Sequence, residues 1–147
     1  MRILTILSIL TVLASSCSKE LNDTPLAGTW QLVDIKDKST GSTLTYPAGS
    51  TEKIKLSLKA DGSFTGNTLK NSIDGGSYTL PADKQVNFGF FNMTKVAEDN
   101  LGSAFLTVLL SCGLQSVHPC KASDYTINGK TMIITTALRY DMKMEKR

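Results

Sequence analysis

The chain has 147 residues, of which 16 are basic and 13 are acidic, and its formal net charge is +3. These charges are scattered, without the basic run that indicates a nucleic-acid partner, so we expect no nucleic acid to bind. The length suits one domain with one core, and the sequence contains neither a Gly-rich phosphate loop nor a nucleophile elbow. We therefore expect a protein that is not an enzyme and holds no cofactor.

The first sixteen residues have the order of a secretory signal peptide. Arg2 precedes a mostly apolar run, residues 3–13, and small residues follow it. The run is too short to cross a bilayer, which takes roughly 20 apolar residues. A buried N-terminal helix is the alternative, and we favour the signal peptide.

Cys17 ends the segment Leu13-Ala14-Ser15-Ser16-Cys17, which resembles a bacterial lipobox. In a lipobox the cysteine receives a diacylglycerol, and a peptidase cuts just before it. The usual leucine three residues before the cysteine is Ala14 here, and Leu13 lies one position further back, as in the looser lipoboxes of Bacteroidetes-type bacteria. We expect Cys17 to be lipidated. Ordinary cleavage after Ala14 or Ser16, with a free Cys17 thiol, is the alternative.

Three segments follow from this interpretation: a signal peptide at 1–16, a lipid-anchored tether at 17–25 and a folded domain at 26–147. The tether is polar and turn-rich, which is typical of a flexible spacer. We expect the protein in the bacterial cell envelope, attached to a membrane through its N-terminal lipid. Ser18 after the cysteine indicates the outer membrane, and its periplasmic and surface faces both stay open.

The other two cysteines, Cys112 and Cys120, form an even pair once Cys17 carries lipid. In an oxidising compartment an even pair indicates a disulfide, and two separate thiols are the alternative. His118 lies close by in sequence. A Cys–His nucleophile pair would lack a third group to orient it, and zinc would lack a fourth ligand. We predict neither catalysis nor a metal there.

Alternation of polar and apolar residues predicts strands in the first half of the domain. In chain order they are 26–35, 44–46, 52–59, 63–66, 77–80 and 85–90, with a tight turn at 60–62 and a loop at 67–76. The expected core faces are Ile54, Leu56 and Leu58 in one strand, and Val86, Phe88 and Phe90 in another.

Helical spacing replaces this alternation from Glu98 to Cys112. Asp99 or Asn100 can cap the start of this helix and Gly113 can end it. A hairpin then turns at Asn128-Gly129, joining strands 124–127 and 130–135. The last strand, 137–145, places Leu138, Tyr140, Met142 and Met144 on one face, where the methionines suit a core better than a copper site. The fold class is therefore α+β: a curved antiparallel sheet of about seven or eight strands with one helix packed across it.

The order of several short motifs resembles a known family. They are Leu26-Ala27-Gly28-Thr29-Trp30; Asp61-Gly62 with Phe64, Gly66 and Asn71; Gly76-Ser77-Tyr78; Thr94 to Glu98 with Phe105 and Leu109; and Tyr125, Ile127, Gly129, Met132 and Ile134. Together they resemble the META-domain family, which includes the HslJ-like heat-shock lipoproteins. The resemblance covers residues 25–146 and implies a non-enzymatic envelope module that binds another protein or supports the envelope under stress.

The chain departs from that family at two cysteine positions. Many members have Gly-Cys-Asn and Ala-Cys segments, where this chain has Lys70 and Glu98. If those cysteines pair in the family, this chain has lost the bridge, and Cys112–Cys120 would take over part of its role. The rival fold is a small lipocalin-like barrel that carries an apolar ligand. A cavity lined by Phe88, Phe90, Phe105 and Leu109 would favour that carrier.

Overall fold

The computed structural model describes residues 24–112 and 122–147. In these two ranges the chain forms ten strands and one α-helix. The elements are β1 Gly28–Asp37, β2 Thr43–Leu44, β3 Lys55–Leu58, β4 Ser63–Asn67, β5 Ser72–Thr79, β6 Gln85–Phe88, β7 Asn92–Met93, α1 Asn100–Leu109, β8 Ser123–Asn128, β9 Thr131–Thr135 and β10 Tyr140–Lys146.

The sheet closes on itself into an antiparallel barrel. Eight strands follow one another around it in the order β1, β3, β4, β5, β6, β8, β9 and β10, and β10 pairs back onto β1. The short strands β2 and β7 pair with β1 and β5. The described residues thus confirm an antiparallel sheet of the expected size with one helix. The fold is mostly β, and the curved sheet is closed.

The core follows the alternation that the sequence predicts in its most regular strands. Ile54, Leu56 and Leu58 are buried, as are Met142 and Met144. Both methionines lie in the hydrophobic core, as their position on the strand face predicts. Trp30 is fully buried as well, and its indole nitrogen donates a hydrogen bond to the Leu26 carbonyl at 2.7 Å.

The loop predicted over residues 67–76 is wrong, because β5 begins at Ser72. Ile73, Gly76 and Tyr78 face inward along this strand. Gly75 and Gly76 interrupt the alternation of polar and apolar residues in β5, and each is explained by its structural surroundings. A Cβ on Gly76 would lie 2.6 Å from the Phe64 ring, and Gly75 adopts a φ of 58° beside the shift in β4–β5 register.

Two residues expected on core faces are exposed. Phe90 is 75% exposed, because the alternation of β6 ends at Phe88. Beyond the strand, Phe91 packs inward instead, with its ring 5.8 Å from that of Phe64. Leu138 is 54% exposed, because residues 136–139 form a turn before β10. The Thr136 hydroxyl holds this turn by donating to the Tyr140 carbonyl.

Helix α1 lies across one end of the barrel. It contacts β1 and β10, and its side chains are buried except for a few polar ones. Before its first turn, Glu98 bonds to the loop between β4 and β5, and just after its last turn the Ser111 hydroxyl lies 3.3 Å from that of Ser123. We call this end of the barrel the helix end, and it includes the paired residues Asp37 and Tyr140.

Asp99 caps α1, as the sequence predicts, by accepting a hydrogen bond from the Gly102 nitrogen at 2.8 Å. The helix continues as a 3-10 turn, Leu110–Cys112. Gly113, its expected terminator, lies outside the described residues. Across 24–112 and 122–147, no helix is both long and apolar enough to traverse a bilayer.

The opposite end receives residues 24–27 and is called the tether end here. It comprises the turns at 59–62, 80–84 and 128–130, together with the end of β10, where Trp30 pairs with Lys146. Leu26 is fully buried there. The N-terminal segment therefore approaches the barrel from the end opposite α1.

Candidate functional site

The residues predicted to carry function fall largely outside the described ranges. Cys17, His118 and Cys120 all do, and Cys112 is the last residue before the second gap. Lipidation of Cys17 and the Cys112–Cys120 disulfide therefore stay predictions. Among the described residues no group of three or more His, Cys, Asp or Glu side chains is placed to hold a metal ion.

Asn71 is the centre of a buried polar cluster at the helix end. Its side-chain nitrogen donates to the Val96 carbonyl at 2.7 Å and to Oε1 of Glu98 at 2.5 Å. Its oxygen accepts from the Val96 nitrogen at 2.8 Å and from the Thr94 hydroxyl at 2.9 Å. Asn71 is only 3% exposed, so its side chain depends on these partners for its hydrogen bonds, although Thr94 itself is exposed. Asn71 thus fixes the segment that leads into α1.

Glu98 links this cluster to the helix. Its Oε1 also accepts a hydrogen bond from the Thr68 hydroxyl at 2.6 Å. Its Oε2 is buried, and no described residue bonds to it. A Cβ on Gly102 would collide with this oxygen, so glycine at that position leaves room for the carboxylate. Glu98 lies at one of the two positions where the resembled META family has cysteine, and here hydrogen bonds tie it to the β4–β5 loop.

A second charged group at the helix end is the ion pair between Asp37 and Arg139. The guanidinium donates to Oδ2 of Asp37 from Nε at 2.9 Å and from Nη2 at 2.5 Å. The Ser39 nitrogen and hydroxyl donate to Oδ1. Arg139, followed by these Ser39 bonds, holds the pKa of the Asp37 carboxyl well below its usual range. This pair ties the β1–β2 turn to the β9–β10 turn.

At the tether end, basic residues outnumber acidic residues. The cations are Lys59, Lys84, Lys130, Lys146 and Arg147, and the carboxylates are Asp61, Asp83 and Glu145. Of these five cations, only Arg147 lies within 4 Å of a described carboxylate, at 3.7 Å from Glu145. The Lys146 ammonium lies 5.3 Å from the centre of the Trp30 ring. Lys59, Lys84 and Lys130 are exposed.

Three of the clefts on the described surface are open to solvent. One of about 330 Å³ lies at the tether end, between Pro25, Lys84 and Tyr125. The other two flank the start of α1 and share Pro47 and Asp99. None of the three includes the expected carrier lining. Phe88, Phe105 and Leu109 are instead part of the buried core, and Phe90 lies on the outside.

The residues that carry the META resemblance have architectural roles where the structure describes them. Trp30, Phe64, Tyr78, Phe105 and Leu109 belong to the core. Asn71 holds the segment before α1, and Gly129 takes a φ of 57° in the final hairpin turn. The motif therefore describes how the barrel is built, and none of these residues forms a reactive constellation.

An eight-stranded antiparallel barrel closed at one end by a helix is the class of fold that these observations define. No family model matches this chain, and no curated protein matches it. A protein from Burkholderia xenovorans, solved by NMR, is similar with a TM-score of 0.58 and 20% identity, over 82% of this chain and 81% of its own. A DUF4847 family protein from Bacteroides vulgatus, solved by crystallography, is similar with a TM-score of 0.53 and 18% identity, over 82% of this chain and 93% of its own. Both likenesses concern the fold.

Proposed function

We propose that the chain is a lipid-anchored envelope protein whose META/HslJ-like barrel binds another envelope protein and catalyses no reaction. In this proposal residues 1–16 are removed, Cys17 carries the lipid, and the barrel stands at the surface of the outer membrane. The signal-like N-terminus and the lipobox-like segment support the anchor. The resemblance to the META family suggests that the binding supports the envelope under stress.

Phe90 is the observation that most favours a protein partner. The residue is 75% exposed, yet its backbone is held beside β5, where its carbonyl accepts a hydrogen bond from the Ser77 nitrogen at 3.2 Å. A rigid aromatic side chain offers a large apolar contact at little conformational cost, and such residues are common energetic centres of interfaces. Phe88 and Phe105, expected to line the cavity of an apolar-ligand carrier, are instead part of the buried core. Their position favours protein binding over ligand carrying.

Metabolic labelling with palmitate tests the anchor. We expect label in the wild-type protein and in Cys112→Ser, and none in Cys17→Ala. Cys112→Ser is the matched control because it removes a thiol without touching the lipobox. Label that survives in Cys17→Ala, or a wild-type protein without label, would contradict the anchor.

Site-specific photo-crosslinking in the native cell tests the partner. A photoreactive residue at Phe90 is expected to give one defined crosslinked species, whereas the same residue at Ile133, which is exposed on β9, gives none. Phe90→Ser should abolish co-purification of that species while leaving the thermal midpoint unchanged, because the ring is outside the core. Identical crosslinks from both positions would reject Phe90 as the contact.

A further inference from the structure

The tether is short compared with the barrel that it holds. Seven residue steps separate Cys17 from Thr24, the first described residue. Fully extended they reach about 25 Å, and as a flexible chain they span on average about 15 Å. A ten-residue strand such as β1, tilted by about 40°, makes the barrel roughly 25 Å tall. A lipid on Cys17 therefore keeps the tether end nearest to the bilayer and the helix end away from it.

The side chains at the tether end suit a negatively charged surface. Lys59, Lys84 and Lys130 lie in three different turns of this end, and all three are exposed. None of them lies within ion-pair distance of a described carboxylate. Their ammonium groups can therefore meet lipid phosphates without first breaking an internal ion pair.

Two cations at the helix end are engaged in ion pairs. Lys38 lies 3.0 Å from Asp141, and Arg139 pairs with Asp37. Other lysines near the helix end, such as Lys70 and Lys95, are exposed as well, so accessible charge alone does not distinguish the two ends. The tether distinguishes them, because a lipid on Cys17 holds the tether end next to the bilayer.

Among the three lysines of the tether end, Lys84 is the easiest to test. Among the described non-glycine residues only Lys84 has a positive φ, at 54°, and the Tyr125 nitrogen donates to its carbonyl at 2.8 Å. Glycine adopts such a φ without steric cost, so local backbone geometry does not call for lysine here. Lys84→Gly removes the charge while it relieves the backbone, and the variant should fold at least as well as the wild type.

We propose that the tether end of the barrel docks on the anionic lipid headgroups of the membrane that holds the Cys17 lipid, with Lys59, Lys84 and Lys130 as its principal contacts. The proposal rests on the proposed anchor for its geometry, but the docking itself depends on the barrel's charges alone. It gives the protein a fixed orientation, in which α1 points away from the bilayer.

Vesicle co-sedimentation of the unlipidated mature chain, residues 17–147 with Cys17→Ser, tests the docking apart from the anchor. The vesicles contain phosphatidylcholine alone or with 30% phosphatidylglycerol. We expect binding to the anionic vesicles only, and its loss in high salt because screening shortens the reach of the charges. Near an anionic surface each lysine contributes about fivefold to the partition coefficient, so Lys84→Gly should lower it about fivefold and the triple variant K59Q/K84G/K130Q on the order of 100-fold.

A triple variant with the same change in net charge is the matched control. Lys36, Lys70 and Lys95 are exposed and lie away from the tether end, so K36Q/K70Q/K95Q should weaken binding less than about threefold. An equal loss in both triple variants, or equal binding to neutral and anionic vesicles, would overturn the docking proposal. If palmitate labels Cys17 but the vesicle result is negative, only the docking fails. If vesicles bind but Cys17 is unlabelled, only the anchor fails.

Discussion

Replacing Asn71 by alanine removes four hydrogen bonds from a site that is nearly closed to water. The bond to the Glu98 carboxylate involves a charged acceptor and contributes about 2 kcal/mol. The two bonds to the Val96 backbone contribute about 1 kcal/mol each, whereas Thr94 is exposed and its hydroxyl regains water. We therefore expect Asn71→Ala to lower the free energy of unfolding by about 4 kcal/mol.

Urea unfolding of the unlipidated mature chain measures this loss. With a slope of about 1.5 kcal/mol per molar urea, the midpoint should fall by about 2.5 M while the slope is unchanged. Asn92→Ala is the control, because Asn92 is exposed on β7 and should change stability by less than about 0.5 kcal/mol. A loss below about 1 kcal/mol for Asn71→Ala would refute the idea that this side chain holds the segment before α1.

Asn71→Asp refines the same experiment, because it keeps the shape of the side chain and replaces the donor by a charged acceptor. The new carboxylate would face the Val96 carbonyl and Glu98 Oε1, which now accept from Asn71 at 2.7 and 2.5 Å. Protonation would restore one donor and remove the charge. The variant should therefore be least stable, relative to the wild type, at neutral pH, and the difference should shrink as the pH falls below 5. A difference independent of pH would contradict this.

Two further predictions concern the fold. Because Arg139 lowers the pKa of Asp37 in the folded state, the stabilisation is present above the unfolded pKa of about 4 and is lost as the pH falls towards the folded value. Asp37→Asn should thus cost stability at pH 7 and progressively less in acid unfolding series towards pH 2; a constant difference would contradict the ion pair's role. Gly76→Ala places a methyl group against the Phe64 ring, so it should cost roughly 1–3 kcal/mol in thermal unfolding. An unchanged midpoint would show that the ring can move aside.

Local patterns are sufficient to predict much of this barrel. Strict alternation places Ile54, Leu56 and Leu58 in a half-buried strand, and all three are in the core. The helix and its Asp99 cap follow from the change of period and from a side chain that can accept the free nitrogens of the first turn. In both cases the residues that carry the prediction lie within a few positions of the strand or helix that they predict.

Other features depend on contacts distant in sequence. Closure of the sheet requires β1 to pair with β10 over the whole chain, and alternation carries no information on partners. The sequence does not predict where β5 starts, because an inward-facing position of this strand is occupied by Gly76 instead of an apolar side chain. A side chain there would collide with the Phe64 ring on the neighbouring strand. The role of Asn71 becomes visible only once residues 94–98 lie beside it. The motif resemblance singles out Asn71 but says nothing of its four bonds.

The membrane-facing surface could be predicted only in part. The lipobox-like segment directs attention to Cys17, which supplies the tether and its length. The placement of Lys59, Lys84 and Lys130 at one end of the barrel requires the topology, because they are separated by up to 71 residues in sequence and come together in three turns.

Mass spectrometry of the N-terminal peptide of the protein purified from native envelopes tests the central claim most directly. We expect a peptide that begins at Cys17 and carries a diacylglycerol thioether on its sulfur. A peptide that begins at Ser15, or one that begins at Cys17 with a free thiol, would contradict lipid anchoring and would leave the barrel without the tether that orients it.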